Sequence, residues 1–161
     1  DPIERSVLSF SDSTGALMDD VVRAGPAKYD FAVVYENLAL QNMEAARQRQ
    51  GQALRIFYPP ATMLSDHPYA VVDGNWVQAD QRAAAAQFRD FLVGATAQAL
   101  ARQYGFRPVD PNVSIAAPDA DNPFTKYAAN GVQASIARQV EPPAPEVLNA
   151  LLQLWENRLK H

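Results

Sequence analysis

The chain has 161 residues, of which 48% are hydrophobic, so it can bury a core and is not expected to be disordered throughout. Its formal net charge of −4 is spread along the chain, which argues against nucleic acid and anionic membrane surfaces as partners. The absence of cysteine excludes disulfides, cysteine-based zinc sites and thiol nucleophiles. No apolar run approaches the roughly 20 residues that span a bilayer, and a signal segment, if one exists, is expected upstream of this sequence.

The first predicted elements are a helix, a strand and a second helix. Apolar residues recur at helical spacing over about 14–24, and Ser13 or Thr14 is a suitable N-cap because a hydroxyl accepts a hydrogen bond from a free backbone N–H. The hydrophobic run 31–35 predicts a short buried strand. Helical spacing returns from about 37 to 49.

Two further strands and a pair of helices follow. The segment 53–60 reads as a strand that ends in two prolines, and 69–72 reads as another. The longest helical pattern is divided by Gly94, because glycine is unfavourable inside a helix. We therefore predict one helix at 79–93 and a second that begins near Thr96.

The last third is rich in proline. It predicts an extended loop at 107–123, a short helix within 124–130, a stiff connection at 142–145 and an amphipathic helix at 147–159. The order of elements is typical of an α/β fold in which a small mixed sheet is flanked by helices.

The first candidate site is the segment SFSDSTG, which places the hydroxyls of Ser9, Ser11, Ser13 and Thr14 and the backbone of Gly15 at a helix start. Helix N-termini bind anions through free N–H groups. Helix capping alone explains the same residues, so the pattern leaves both interpretations open.

The second candidate is the trio Tyr35, Glu36 and Asn37, which follows the predicted strand 31–35. The carboxyl ends of strands in α/β sheets are where ligands bind, so the trio could face a ligand. The alternative is a plain helix start, with Asn37 as the cap and Tyr35 partly buried.

Other polar residues give weaker signals. His67 has no second internal histidine and no nucleophile at readable spacing, which favours a structural or surface role. The segment PDADNP resembles the start of a calcium loop but lacks the glycine and the final glutamate that such a loop needs. We therefore predict no enzyme activity, no metal and no cofactor. The helix that contains Trp155 could be either core or a docking helix.

Five segments then follow one another in a specific order: STGALMDDVVRAGP, DFAVVYEN, RIFYPP, DHPYAVVDGNW and QRAAAAQFRDFLVGATAQALARQYGFRP. The last combines the helical face of Phe88, Phe91 and Leu92 with the Gly94 break and a Tyr-Gly-Phe-Arg-Pro ending. Over residues 12–110 this order resembles the C-terminal portion of a bacterial extracytoplasmic solute-binding protein. The family is the type 2 periplasmic-binding class, which includes molybdate- and sulfate-binding proteins.

The resemblance implies a site. In molybdate-binding relatives a tyrosine at the end of the corresponding strand reaches the ligand, and the preceding helix donates backbone N–H groups. This points to Tyr35 and to Ser13, Thr14 and Gly15, with Glu36 and Asn37 at the rim. An acid at that place favours a cationic, polar or peptide-like solute.

The resemblance also implies a function and an organisation. Residues 1–110 would form the solute-binding α/β region, 111–145 a proline-rich wrap, and 146–161 a helix that packs on the same domain or on a partner. The expected role is extracytoplasmic capture of a small polar solute, with an ABC-importer permease as a partner. The alternative is an interaction module with a vestigial cleft, associated with a von Willebrand factor A domain. Because the resemblance begins late in the second lobe, we also expect exposed sheet edges that favour a homodimer.

Overall fold

The computed structural model describes residues 5–8 and 10–158. Ser9 and Leu159, which belong to the predicted hydroxyl cluster and the predicted last helix, lie outside these residues. The α-helices of the described part, numbered α1 to α6 in chain order, are Thr14–Ala24, Glu36–Gln50, Ala79–Val93, Ala95–Gln103, Pro123–Lys126 and Pro145–Arg158. Short 3-10 turns occupy Gly25–Ala27 and Ala128–Asn130.

The helix ends follow local signals. The Ser13 hydroxyl accepts a hydrogen bond from Ala16 N (3.4 Å) at the start of α1, and α1 ends at Gly25. Gly94 separates α3 from α4. The predicted helices at 14–24, 37–49 and 79–93 are confirmed to within one residue at each end.

The predicted mixed sheet is wrong. Across residues 5–8 and 10–158 no β-strand forms, and the three segments predicted as strands, 31–35, 53–60 and 69–72, are irregular. The extended pairing that does occur is an isolated parallel bridge between Thr62 and Gln139. The molecule is therefore helical with long irregular connections, and not α/β.

The reason is that a strand requires a neighbouring strand to complete its hydrogen bonds. Residues 31–35 do alternate, because Ala32 and Val34 are partly covered while Phe31, Val33 and Tyr35 are exposed. Within the described chain, however, the backbone groups of 31–34 form no backbone hydrogen bond. The prediction of a short buried strand at 31–35 is therefore wrong in both respects: the segment pairs with no other strand, and Phe31, Val33 and Tyr35 are exposed. Hydrophobic spacing carries no information about a pairing partner.

A small core forms around α2. Leu40 and Met43 pack with Phe124 and Val132, and four partly buried residues surround this cluster: Leu54, Ile56, Ile115 and Tyr127. Gly131 allows the close approach of the backbone at Ile56, because its φ is +91° and a side chain there would collide with the Ile56 carbonyl. The core therefore joins α2 to segments about 80 residues further along the chain.

The C-terminal helix α6 contacts the N-terminal segment through Trp155, whose ring meets Phe10 edge to face with centroids 5.4 Å apart. Its leucines remain about half exposed. None of the helices in the described ranges is long and apolar enough to cross a membrane. The division at residues 110 and 145 stays a prediction.

Candidate functional site

The two helices that carry the predicted site residues run side by side in the same direction. Gln50, the last residue of α2, donates from Nε2 to the carbonyl oxygens of Val21 and Val22 (3.0 Å each) near the end of α1. Its side chain also packs against Gly25. Since the C-terminal ends meet and the two helices pack together, their N-termini point toward the same end of the pair.

This arrangement places the two predicted groups at the same end of the α1–α2 pair. The first turn of α1 holds Ser13, Thr14 and Gly15, and the first turn of α2 holds the trio that begins at Tyr35. With 15 residues, α2 is longer than α1, which has 11, so the start of α2 is expected to lie farther from the C-terminal ends where the helices meet. The first turns of α1 and α2 therefore lie at the same end of the helix pair but are offset along the helix axes.

At the start of α1, capping uses the hydroxyl of Ser13. Besides the bond from Ala16 N, the Ser13 carbonyl accepts from Ser11 Oγ and Leu17 N, both at 3.0 Å. Thr14 and Gly15 are partly exposed, and the first turn has no acidic residue. Its positive end is thus not opposed by a carboxylate of its own turn.

At the start of α2, Tyr35 is the N-cap residue through its backbone, and its ring is 53% exposed. The Tyr35 carbonyl accepts hydrogen bonds from Leu38 N (3.1 Å) and Ala39 N (3.3 Å). The expected cap, Asn37, lies inside the helix instead. Asn37 packs against Gly105, where a Cβ would lie 3.1 Å from the Asn37 Cα.

Glu36 lies in the centre of a polar network. Arg107 donates to its carboxylate twice, from Nε to Oε2 (2.7 Å) and from Nη2 to Oε1 (2.8 Å), and the Tyr58 hydroxyl donates to Oε1. Arg107 also donates to the carbonyl oxygens of Ala134 (2.9 Å) and Gln133 (2.7 Å), and its guanidinium lies over the Phe124 ring. One arginine thus fastens the start of α2 to the chain near residue 133.

The network changes the proton affinities of its members. Burial, together with the hydrogen bond to Glu36, raises the pKa of Tyr58 to about 12. Burial lowers the pKa of Arg107, but the hydrogen bonds and charge of Glu36 outweigh that effect and raise it. Because the carboxylate of Glu36 is already balanced by Arg107, it gives no reason to prefer a cationic solute.

The sequence did not identify Arg107 and Tyr58 as members of the polar network around Glu36. A signal was present, since Arg107 is a charged residue between Phe106 and Pro108, two positions after Gly105, whose φ is +82°. A charge in that setting needs a partner. The sequence does not say that the partner lies 71 positions earlier.

The remaining candidate residues make contacts that are typical of structural roles. His67 meets the Phe106 ring edge to face at 5.3 Å. Asp119 pairs with the buried Arg102, and Asn122 is fully buried, donating from Nδ2 to the carbonyls of Ile115 (2.8 Å) and Ala117 (2.7 Å). Among the described residues no group of three His, Cys, Asp or Glu side chains could hold a metal ion.

An open pocket of about 290 Å³ lies elsewhere, between the 69–72 segment and the start of α3. Tyr69 and Trp76 form its aromatic walls, with Arg82 at its side. Arg82 Nε is 2.9 Å from Asp73 Oδ1 but is not aligned for a hydrogen bond. None of the ligand-binding residues predicted from the sequence lines this pocket.

Comparison with known proteins gives one result. No curated protein and no solved structure matches the chain. The family model for bacterial extracellular solute-binding proteins matches residues 1–107, which is about two thirds of the sequence. The resemblance to solute-binding proteins is therefore confirmed at the level of the family, without its molybdate or von Willebrand refinements. The chain belongs to the bacterial extracellular solute-binding protein family.

Proposed function

We propose that this chain is an extracytoplasmic solute-binding module that captures a small polar solute without chemical change. The observation that carries the proposal is family membership over residues 1–107. It is supported by the two helix starts that point to the same end of the α1–α2 pair. A receptor site needs a few fixed polar groups beside apolar surface, and both are present at that end.

In this proposal Ser13, Thr14 and Gly15 supply N–H and hydroxyl groups, while Tyr35 and Asn37 supply a ring and an amide. Tyr35 is half exposed, and no hydrogen bond involves its hydroxyl within the described chain. Glu36 acts through its contacts with Arg107 and Tyr58, which fix the backbone between Tyr35 and Asn37. Its role is positioning.

The proposed setting follows from the family. The module lies outside the cytoplasm, residues 1–110 form its solute-binding region, and an ABC-importer permease receives the solute. A von Willebrand factor A domain in the same assembly is the alternative partner.

A second candidate function is a protein-interaction module. One observation favours it: α6 leaves Leu148, Leu151 and Leu152 about half exposed although its spacing would suit a core helix. If α6 docks a partner, Leu151→Glu should leave the melting temperature unchanged. A fall of several degrees would instead assign α6 to the core.

The test of solute binding is the melting temperature against a panel of oxyanions, metal ions, amino acids, sugars and short peptides. A ligand that binds the native state alone must raise it. We expect one class to do so and Tyr35→Ala and Thr14→Ala to abolish the shift. Tyr104→Ala is the matched control, because that tyrosine is 58% exposed, and it should retain the shift.

One result would contradict the proposal, and another would contradict only its residue assignment. If no class of ligand raises the melting temperature, the second candidate function, a protein-interaction module, explains the chain better. If one class does so but both Tyr35→Ala and Thr14→Ala bind it normally, solute binding stands and the residue assignment is wrong.

A further inference from the structure

The pocket between residues 69–72 and the start of α3 has the composition of a ligand site. Its volume of about 290 Å³ lies at the lower end of the roughly 300–1,000 Å³ that small-molecule pockets have, which suits a molecule with a single ring. Tyr69 and Trp76 line it beside apolar side chains, and Arg82 is the charged residue of its lining. Aromatic walls and a cation at one pocket match a ligand that is apolar at one end and acidic at the other.

Contacts within the chain position both aromatic rings. The Tyr69 hydroxyl donates to the Ala85 carbonyl oxygen on α3 (3.1 Å), and the Tyr69 ring meets the Phe88 ring edge to face with centroids 6.0 Å apart. The Trp76 indole lies against Gly74, where a Cβ would be 2.5 Å from Trp76 Nε1. The walls therefore exist before a ligand arrives, which reduces the entropy lost on binding.

The turn that carries Trp76 is joined to α3 by Arg82. The Gly74 carbonyl oxygen accepts hydrogen bonds from Val77 N (2.9 Å) and from Arg82 Nη2 (3.2 Å). Arg82 Nη1 forms no hydrogen bond with the described residues, and neither does the indole N–H of Trp76. Two side chains that line the pocket thus keep a hydrogen-bond donor for an acceptor outside the chain.

The positive charge of Arg82 is loosely balanced. Arg82 Nε lies 2.9 Å from Asp73 Oδ1 but makes no aligned hydrogen bond, although that nitrogen is buried. The Asp73 side chain is 81% exposed, and none of the residues that line the pocket is acidic. Exposed ion pairs contribute little to stability, so a better aligned carboxylate can take the place of Asp73.

We propose that this pocket binds a small aromatic carboxylate, with its ring against Tyr69 and Trp76 and its carboxylate on the Arg82 guanidinium. Guanidinium and carboxylate groups match in shape, because both are planar and together form two parallel hydrogen bonds. A neutral sugar would also contact the rings, but it would make no use of the charge of Arg82. The ligand is therefore an acid.

The pocket is separate from the solute site proposed at the starts of α1 and α2. Neither Thr14 nor Tyr35 lines it. Binding here does not depend on the proposed function, and Tyr35→Ala should leave it unchanged. Failure of the solute screen and failure at this pocket are therefore distinguishable.

The two tryptophans of the sequence allow a direct test. In a Trp155→Phe background Trp76 is the single tryptophan, and we expect phenylacetate to change its fluorescence in a saturable way. Arg82→Gln should weaken this binding about tenfold, because the charge-assisted hydrogen bonds are lost. Arg89→Gln is the matched control, since Arg89 also lies on α3 in an exposed ion pair, and it should bind phenylacetate as before.

Two further variants should change the affinity in opposite directions. Asp73→Asn removes the carboxylate that competes for Arg82 and should tighten phenylacetate binding about two- to fivefold. A gain in affinity cannot result from damage to the fold. Gly74→Ala should weaken binding, because its Cβ would displace the Trp76 ring.

Weaker binding by Arg82→Gln but not by Arg89→Gln, with tighter binding by Asp73→Asn, supports the proposal. Equal weakening by both arginine variants would show unspecific charge attraction and overturn it. Acetate bound as tightly as phenylacetate would remove the role of the rings, and binding of glucose but not phenylacetate would exclude an acid. No phenylacetate binding to the unmodified chain by equilibrium dialysis would overturn the proposal outright. Unchanged helix content by circular dichroism shows that each variant is folded.

Discussion

The helices α2 and α3 have the same length, 15 residues, but differ in burial. Helix α2 buries Leu40, Met43 and Ala46, whereas α3, described along its whole length, has no buried residue. The apolar spacing of α3 is no poorer, since Phe88 and Phe91 lie on one face. Burial therefore depends on whether another segment reaches that face, as Phe124 and Val132 do for α2.

The comparison can be tested most strongly with one substitution in two places. Phe124→Ala removes a ring that is 2% exposed, and we expect a loss of about 3–5 kcal/mol in the free energy of unfolding. Phe88→Ala removes a ring that is 53% exposed, and we expect a loss below about 1 kcal/mol. Urea denaturation measures both.

A similar loss for the two variants would mean that α3 is covered in solution. That result would remove the difference between the helices and would point to a partner on the Phe88 face. The Phe124 value alone would still report on the core.

The next largest effect concerns the start of α2. Glu36→Gln leaves Arg107 without its carboxylate, and we expect a cost of about 2 kcal/mol, below that of a fully buried pair. The matched control on the same helix is Glu44→Gln, which breaks an exposed pair with Arg47 and should cost much less. Thermal and urea unfolding report the difference.

Equal losses in the free energy of unfolding for Glu36→Gln and Glu44→Gln would show that the contacts of Arg107 do not stabilise the start of α2. Restoration of stability by the paired change Arg107→Met in the Glu36→Gln background would instead support it, since both charged groups are then removed.

The smallest effect is confined to alkaline solution. The pKa of Tyr58 rises from 10.0 to about 12 on folding, so the folded state holds this proton more tightly than the unfolded state. The contribution to stability is complete below pH 10.0 and is lost as the pH rises through about 12. Urea midpoints above pH about 9 should fall less steeply in Tyr58→Phe than in the parent.

If the parent and Tyr58→Phe lose stability in parallel, Tyr58 does not titrate as described. A spectrophotometric titration gives an independent check, because Tyr58→Phe should lose a tyrosine whose pKa is about 12.

The sequence was sufficient for the features that depend on neighbours along the chain. Ser13, Gly25 and Gly94 predicted helix boundaries because capping and chain reversal are decided within one turn. Residues 31–35 were predicted as a buried strand, but Phe31, Val33 and Tyr35 are exposed. The predicted sheet was wrong, because pairing requires a partner strand that local spacing does not identify.

For the candidate site, the sequence supplied Ser13, Thr14, Gly15, Tyr35 and Asn37 as predictions that remain to be tested. It assigned Glu36 to a ligand rim, where the structure shows a carboxylate held by Arg107 and Tyr58. Ionic partners 71 residues apart carry no spacing rule, so this difference was beyond local reasoning.

The sequence by itself determined the helices with their ends, and the family. These depend on short-range sterics, capping and an ordered set of motifs. The tertiary structure alone decided that α1 and α2 run in the same direction, that α2 is buried while α3 is not, and that Glu36 is neutralised. Those outcomes depend on which distant segments meet, since burial and charge pairing are properties of contacts between segments.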